Sequence, residues 1–129
     1  MIKLIDTALD QAWQSFPQHL ELNSPTERAQ FAVTKIDTST MKVETAKVAM
    51  NIHRRSFAAA LDYLITHGHF ESSPCEIRST FDAPGPLSQA TAAGKTITIT
   101  YVLPILQNMG LVEIGRNIPS TTWLAEYKE

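Results

Sequence analysis

Apolar positions recur twice along this chain with the same spacing. Residues 45–70 read TAKVAMNIHRRSFAAALDYLITHGHF, and residues 87–112 read LSQATAAGKTITITYVLPILQNMGLV. With Gly68 set on Gly110, Leu64 falls on Leu106, Leu61 on Leu103, Phe57 on Ile99 and Val48 on Ala90. Steps of three and four between apolar residues mark one face of a helix, and a glycine directly after such a run suits a left-handed C-terminal cap. Each copy thus predicts a short helix, a break, a longer amphipathic helix, a glycine and a β-prone stretch. In the first copy these are residues 42–50, the turn Asn51-Ile52, residues 53–67 and Gly68. In the second they are residues 87–93, the turn Gly94-Lys95, a helix from about Thr98 to Met109, and Gly110. Ile97-Thr98-Ile99-Thr100-Tyr101 would be a strand on propensity alone. The spacing of Ile99, Val102, Leu103 and Leu106 decides for helix.

Ahead of the repeat, Ile5, Leu9, Ala12, Trp13, Phe16 and Leu20 form one helical stripe across residues 2–22, with Pro17 set to kink or end it near Phe16. A stripe holding Trp13 and Phe16 buries either against the body of the chain or in a homodimer contact. Asn23-Ser24-Pro25-Thr26-Glu27 has the order of a helix start: a capping residue, a proline in the first turn, an acid near the positive end of the dipole. A helix over residues 26–36 follows, burying some of Ala29, Phe31, Ala32, Val33 and Ile36, and Asp37-Thr38-Ser39-Thr40 breaks it. Between the copies, residues 75–81 have strand character, with Phe70 and Ile77 placed to pair across a small hairpin. Ala83-Pro84-Gly85-Pro86 is the clearest break in the chain. Residues 111–114, a Gly115-Arg116-Asn117 turn and residues 121–125 predict a closing β-hairpin.

Short helix, longer helix, glycine and hairpin is the order of a helix-turn-helix with a wing, a unit that commonly touches nucleic acid. The segment LSQATAAGKTITITYVLPILQNMGLVEIG resembles a winged-helix domain over its second and third helices and first wing strand. ETAKVAMNIHRRSFAAALDYLITHGHFE resembles a weaker copy. Within the second copy, Tyr101-Val102-Leu103-Pro104-Ile105-Leu106 is similar to a helix in the last winged-helix module of the selenocysteine-specific elongation factors, which implies an RNA hairpin as another ligand. The resemblance implies a mainly α fold with short β-hairpins, a tandem winged helix-turn-helix. On that expectation residues 1–24 are an N-terminal amphipathic helix for packing or dimerisation, 25–83 a first unit and 84–129 a second. One departure stands out. The second unit has no helix of its own ahead of the helix-turn-helix pair, so another segment, such as the N-terminal one, has to supply it.

Composition narrows the partners. With 129 residues, 43% apolar and 19% charged, the chain is of ordinary globular make-up and long enough to bury a core. A single cysteine, Cys75, forms no internal disulfide. No apolar run reaches the roughly 18 residues of a membrane helix, and a cytoplasmic location is expected. The formal charge of −2 and pI of about 6.1 speak against indiscriminate coating of nucleic acid. They leave room for locally placed positive charge.

In a helix-turn-helix the start and outer face of the longer helix meet the groove. That nominates His53, Arg54 and Arg55 in the first unit, with Lys42 and Lys47 on phosphate. In the second unit it nominates Lys95, Thr96, Thr98, Thr100 and Tyr101, with Arg116 and Asn117 at the wing tip. Threonines there equally serve as helix caps. His67, His69 and Cys75 are possible metal ligands, but their spacing fits no common zinc pattern. Gly94-Lys95-Thr96 resembles the tail of a phosphate-binding loop, yet position 89 is Gln where the upstream glycine belongs. The expected function is non-catalytic binding of double-stranded DNA by a transcriptional or mobile-element regulator, without a cofactor or a metal. A protein-binding scaffold in a larger complex and an RNA-hairpin binder are the alternatives.

Overall fold

The computed structural model describes residues 2–17, 20–23, 30–47, 49–70, 72–77, 99–115 and 121–125. In chain order the elements are α1 (Ile2–Ser15), β1 (Leu20–Asn23), β2 (Gln30–Ile36), β3 (Thr40–Glu44), β4 (Ala49–His53), α2 (Arg54–Thr66), β5 (Cys75–Glu76), α3 (Ile99–Asn108), β6 (Val112–Gly115) and β7 (Thr121–Leu124). Strands β1 to β4 form an antiparallel meander in sequence order. The other sheet is antiparallel with order β5-β7-β6, so β7 is central and β6-β7 is a hairpin.

The expectation of a mainly α, tandem helix-turn-helix fold is therefore corrected: among the described residues strand and helix are about equally represented. The first unit is where the reading fails. Residues 30–36, expected in a helix, are β2. The expected short helix over 42–50 and its turn at Asn51-Ile52 are replaced by β3 and β4. The physical reason lies in the periodicity. Met41 and Val43 on β3, and Ile52 on β4, are buried with outward residues between them, a period of two. On β2, Phe31 and Val33 are buried in the same way, but the pairing with β3 shifts between Val33 and Lys35. That bulge leaves Ala29, Ala32, Val33 and Ile36 at helical spacing in the sequence and conceals the strand.

Elsewhere the pattern holds. Helix α1 ends at Ser15, just ahead of Pro17, and buries Leu9, Trp13 and Phe16 in the core, while Leu20 instead opens β1. The part of its apolar stripe that is described beyond residue 6 thus packs inside the chain. Helices α2 and α3 carry the two copies of the repeat, and the equivalent pairs Phe57/Ile99, Leu61/Leu103 and Leu64/Leu106 are buried, while Val48/Ala90 lies outside the described residues. Both helices close in the same way. The amide of Gly68 donates to Ile65 and that of His69 to Leu64; the amide of Gly110 donates to Gln107 and that of Leu111 to Leu106. This is a Schellman cap, which places its glycine in left-handed conformation, and the φ angles are 67° and 80°. The doubled pattern is a repeated helix with its cap, not a repeated domain.

Helix α2 touches α1, β4, α3 and β7, so it lies between the two sheets. Trp13 meets Phe57 edge to face at 5.2 Å, and Phe31 of β2 meets Tyr101 of α3 in the same geometry at 5.2 Å. The inner faces of both sheets and the described helices α1, α2 and α3 contribute to a single apolar cluster. Phe70, expected to pair with Ile77, is instead exposed in the turn after α2, while Ile77 packs on the core. The break at residues 83–86 and the short helix expected over 87–93 lie outside the described residues.

Phe57 is the largest fully buried side chain among the described residues. Phe57→Ala is expected to lower the unfolding free energy by about 3–5 kcal/mol, measured by urea denaturation. A loss below about 1 kcal/mol would contradict the central position given to α2.

Candidate nucleic-acid interface

The meander has an inner face of Phe31, Val33, Met41, Val43 and Ile52 and an outer face of polar residues. Paired residues of adjacent antiparallel strands point to the same side, so the register gives the outer rows directly. One row is Glu21, Ala32, Glu44 and Ala49; the next is Lys35, Lys42 and Asn51; the last is Thr40 and His53. The Lys35–Lys42 row thus lies between Thr40 and His53 on one side and the Glu21–Glu44 row on the other, with the exposed Asn23–Gln30 pair beyond the acids.

Lys35 owes its position to the bulge. It has the same parity as Phe31 and Val33, and strict alternation would drive it into the core. The shift between Val33 and Lys35 turns it outward opposite Lys42, while Ile36 turns back towards the core. Thr34, at the irregularity, has a buried hydroxyl oxygen with no hydrogen-bond partner among the described residues. Two like charges directly across a strand pair oppose each other by roughly 0.2–1 kcal/mol. Lys42 is partly offset by Glu44 at 3.7 Å, an exposed pair. Such pairs contribute about 0–1 kcal/mol.

Of the residues nominated from sequence, Lys42 and His53 share this face, and Arg55 follows on the first turn of α2, exposed. His53 caps α2: its Nδ1 accepts from the Arg55 amide at 3.0 Å. An amide can only donate, so the proton of the neutral ring sits on Nε2, which remains a donor. Lys47 is exposed in the β3–β4 turn, its amide donating to Thr45 Oγ1 at 3.2 Å. Arg54 is placed differently. Its guanidinium pairs with Asp10 of α1 and lies 5.8 Å from the centre of the Trp13 ring, and its amide donates to Ser39. Trp13 Nε1 in turn donates to the Asp37 carbonyl at 2.7 Å. Arg54 therefore joins α1, the β2–β3 turn and the start of α2.

Helix α3 offers little to a ligand. Ile99, Val102, Leu103, Pro104, Ile105 and Leu106 are buried and no residue of the helix is charged. A helix apolar on most sides is a core helix. Thr100 and Tyr101 are half-buried, and Tyr101 packs against Phe31. Lys95, Thr96, Thr98, Arg116 and Asn117 lie outside the described residues.

The histidines after α2 are held by the backbone. His67 Nδ1 donates to the Tyr63 carbonyl at 3.0 Å, and His69 Nδ1 to the Ser73 carbonyl at 2.8 Å. Their rings and that of Tyr63 are near parallel, with Tyr63 and His67 stacked at 4.0 Å. Burial, and then the nearby Glu76, push the Cys75 thiol up; burial, and then Cys75, push the Tyr63 hydroxyl up. Neither change makes a nucleophile, since a raised thiol holds its proton. Among the described residues no group of three or more His, Cys, Asp or Glu is arranged to hold a metal, and no helix is long and apolar enough to cross a membrane.

Sequence reasoning missed Lys35, Thr40 and Asn51 on the outer face. The available signal was a lysine at a core parity followed at once by an isoleucine, which a bulge resolves.

Comparison with protein-family models, with curated proteins and with solved structures finds no match to this chain.

The Arg54–Asp10 pair is testable in a double-mutant cycle of Arg54→Ala and Asp10→Ala. Both groups are substantially exposed, so a coupling of about 0.2–1 kcal/mol in urea denaturation is expected. Zero coupling would remove the ion pair from the account of how α1 docks.

Proposed function

We propose that the chain is a non-catalytic double-stranded DNA-binding protein, acting as a transcriptional or mobile-element regulator, with one winged-helix-like module over residues 54–125. The observation that carries this reading is the order α2, β5, α3, β6, β7 together with the sheet order β5-β7-β6. A helix, a short strand that later pairs beside the wing hairpin, a longer helix and then the hairpin follow the winged-helix order, apart from its short helix, expected over 87–93 and outside the described residues. In it α2 takes the place of the leading helix that the second unit lacked in sequence, so the longer helix of the supposed first unit becomes the first helix of this module. The positive end of the meander's outer face supplies charge for phosphate. Its cations are few, in keeping with a local grip on a few phosphates rather than a coating mode of binding.

A second reading has its own support. The uncharged, largely buried α3 and the net charge of −2 suit a protein-binding adaptor in a larger complex. Fluorescence anisotropy with a mixed-sequence duplex DNA at about 50 and 200 mM salt separates the two. About three phosphate contacts predict roughly 40-fold weaker binding at the higher salt. No binding at the lower salt, or salt-independent binding, would overturn the DNA reading and favour the adaptor.

A further inference from the structure

We propose that the surface which receives duplex DNA is the outer face of the four-stranded sheet at its Lys35–Lys42–Asn51 end, and not helix α3. The inference rests on the DNA-binding reading above and adds to it the place and mode of contact. Three observations carry it. The β2 bulge brings Lys35 out of core parity to stand directly opposite Lys42. Such an apposition of like charges is unfavourable alone and is relieved by an anion lying between them. Asn51 extends the row to the edge strand, and Thr40 and the His53 ring form the next row towards the start of α2, where Arg55 is exposed. Ammonium, amide, hydroxyl and imidazole N–H donors thus converge at one end of the face, the chemistry that phosphate oxygens accept.

The same face argues for backbone contact to a duplex. No residue in its described rows is a phenylalanine, tyrosine or tryptophan, so it has no platform on which unpaired bases stack. Adjacent strands are about 4.8 Å apart, so the three-residue row covers roughly 10 Å, enough for about two phosphates of one strand. Phosphate contacts position a protein without reading bases. Helix α3, uncharged and mostly buried, does not provide the reading face. Glu44 is the local competitor for Lys42, and its row with Glu21, adjacent to the lysines, sets the limit of the footprint.

The experiment uses the full chain and a mixed-sequence duplex in anisotropy titrations over a series of salt concentrations. Lys35→Gln with Lys42→Gln should reduce the steepness of log K against log salt by about 1.8, two contacts at about 0.9 each. The urea midpoint should stay the same or rise, because the repulsion between the lysines is gone. Glu44→Gln should tighten binding by freeing Lys42. An unchanged salt slope in the double variant, with wild-type binding intact, overturns the surface and leaves the DNA reading standing. Absence of wild-type binding overturns both. Binding of an RNA hairpin or a single strand more tightly than the duplex overturns the choice of ligand.

Discussion

Burial of α2 from several directions at once is the constraint on which the rest of the structure depends. Phe57, Ala60, Leu61 and Leu64 leave no part of its inner face in water. No single sheet or helix covers that face: α1 and β4 reach it from one half of the chain and α3 and β7 from the other. Each sheet has an apolar side that needs a partner, and a four-stranded or three-stranded sheet alone lacks one. The shared helix answers both needs. Its ends are fixed by local chemistry, with the His53 ring at the start and Gly68 in left-handed conformation at the finish. Trp13 and Arg54 then bind α1 to its first turn and to the β2–β3 connection.

That arrangement divides the cations between structure and surface. Arg54, adjacent to Arg55 in sequence, is drawn into an ion pair and over an aromatic ring, whereas Arg55 stays exposed with no ion pair among the described residues. Lys35 and Lys42 come from β2 and β3, which pair in turn with β4, the strand that runs straight into α2. The face they share exists because the inner side of the meander is sealed by the helices. Binding, on this account, is a property of the side that packing leaves over.

Much of the second half was legible in the sequence because its signals are local. The spacing of Ile99, Val102, Leu103 and Leu106, the glycine after them and the hairpin pattern each belong to one element, and α3, Gly110, β6 and β7 follow them. The helical stripe Leu9, Trp13, Phe16 and the run ending at Gly68 were readable for the same reason. The meander was not. One bulge in β2 breaks the period of two at the point where it would have been recognised, and the residues around it fall by chance at helical spacing. Asn23, read as part of a helix start, is the last residue of β1. The candidate interface was legible only in part: Lys42, His53 and Arg55 were nominated as helix residues, while Thr40 and Asn51 depend on strand register and Lys35 on a bulge that a lysine at core parity only hints at.

If α2 is the common strut, both sheets must be lost together. Native-state amide hydrogen exchange tests this directly, because it resolves the opening free energy of each element. The account predicts that amides of Leu61 and Leu64 on α2, Val43 on β3 and Leu103 on α3 exchange with the same free energy, equal to that of global unfolding. Exchange from β3 at a distinctly lower free energy than from α2 and α3 would show that the meander opens alone, and would contradict the account.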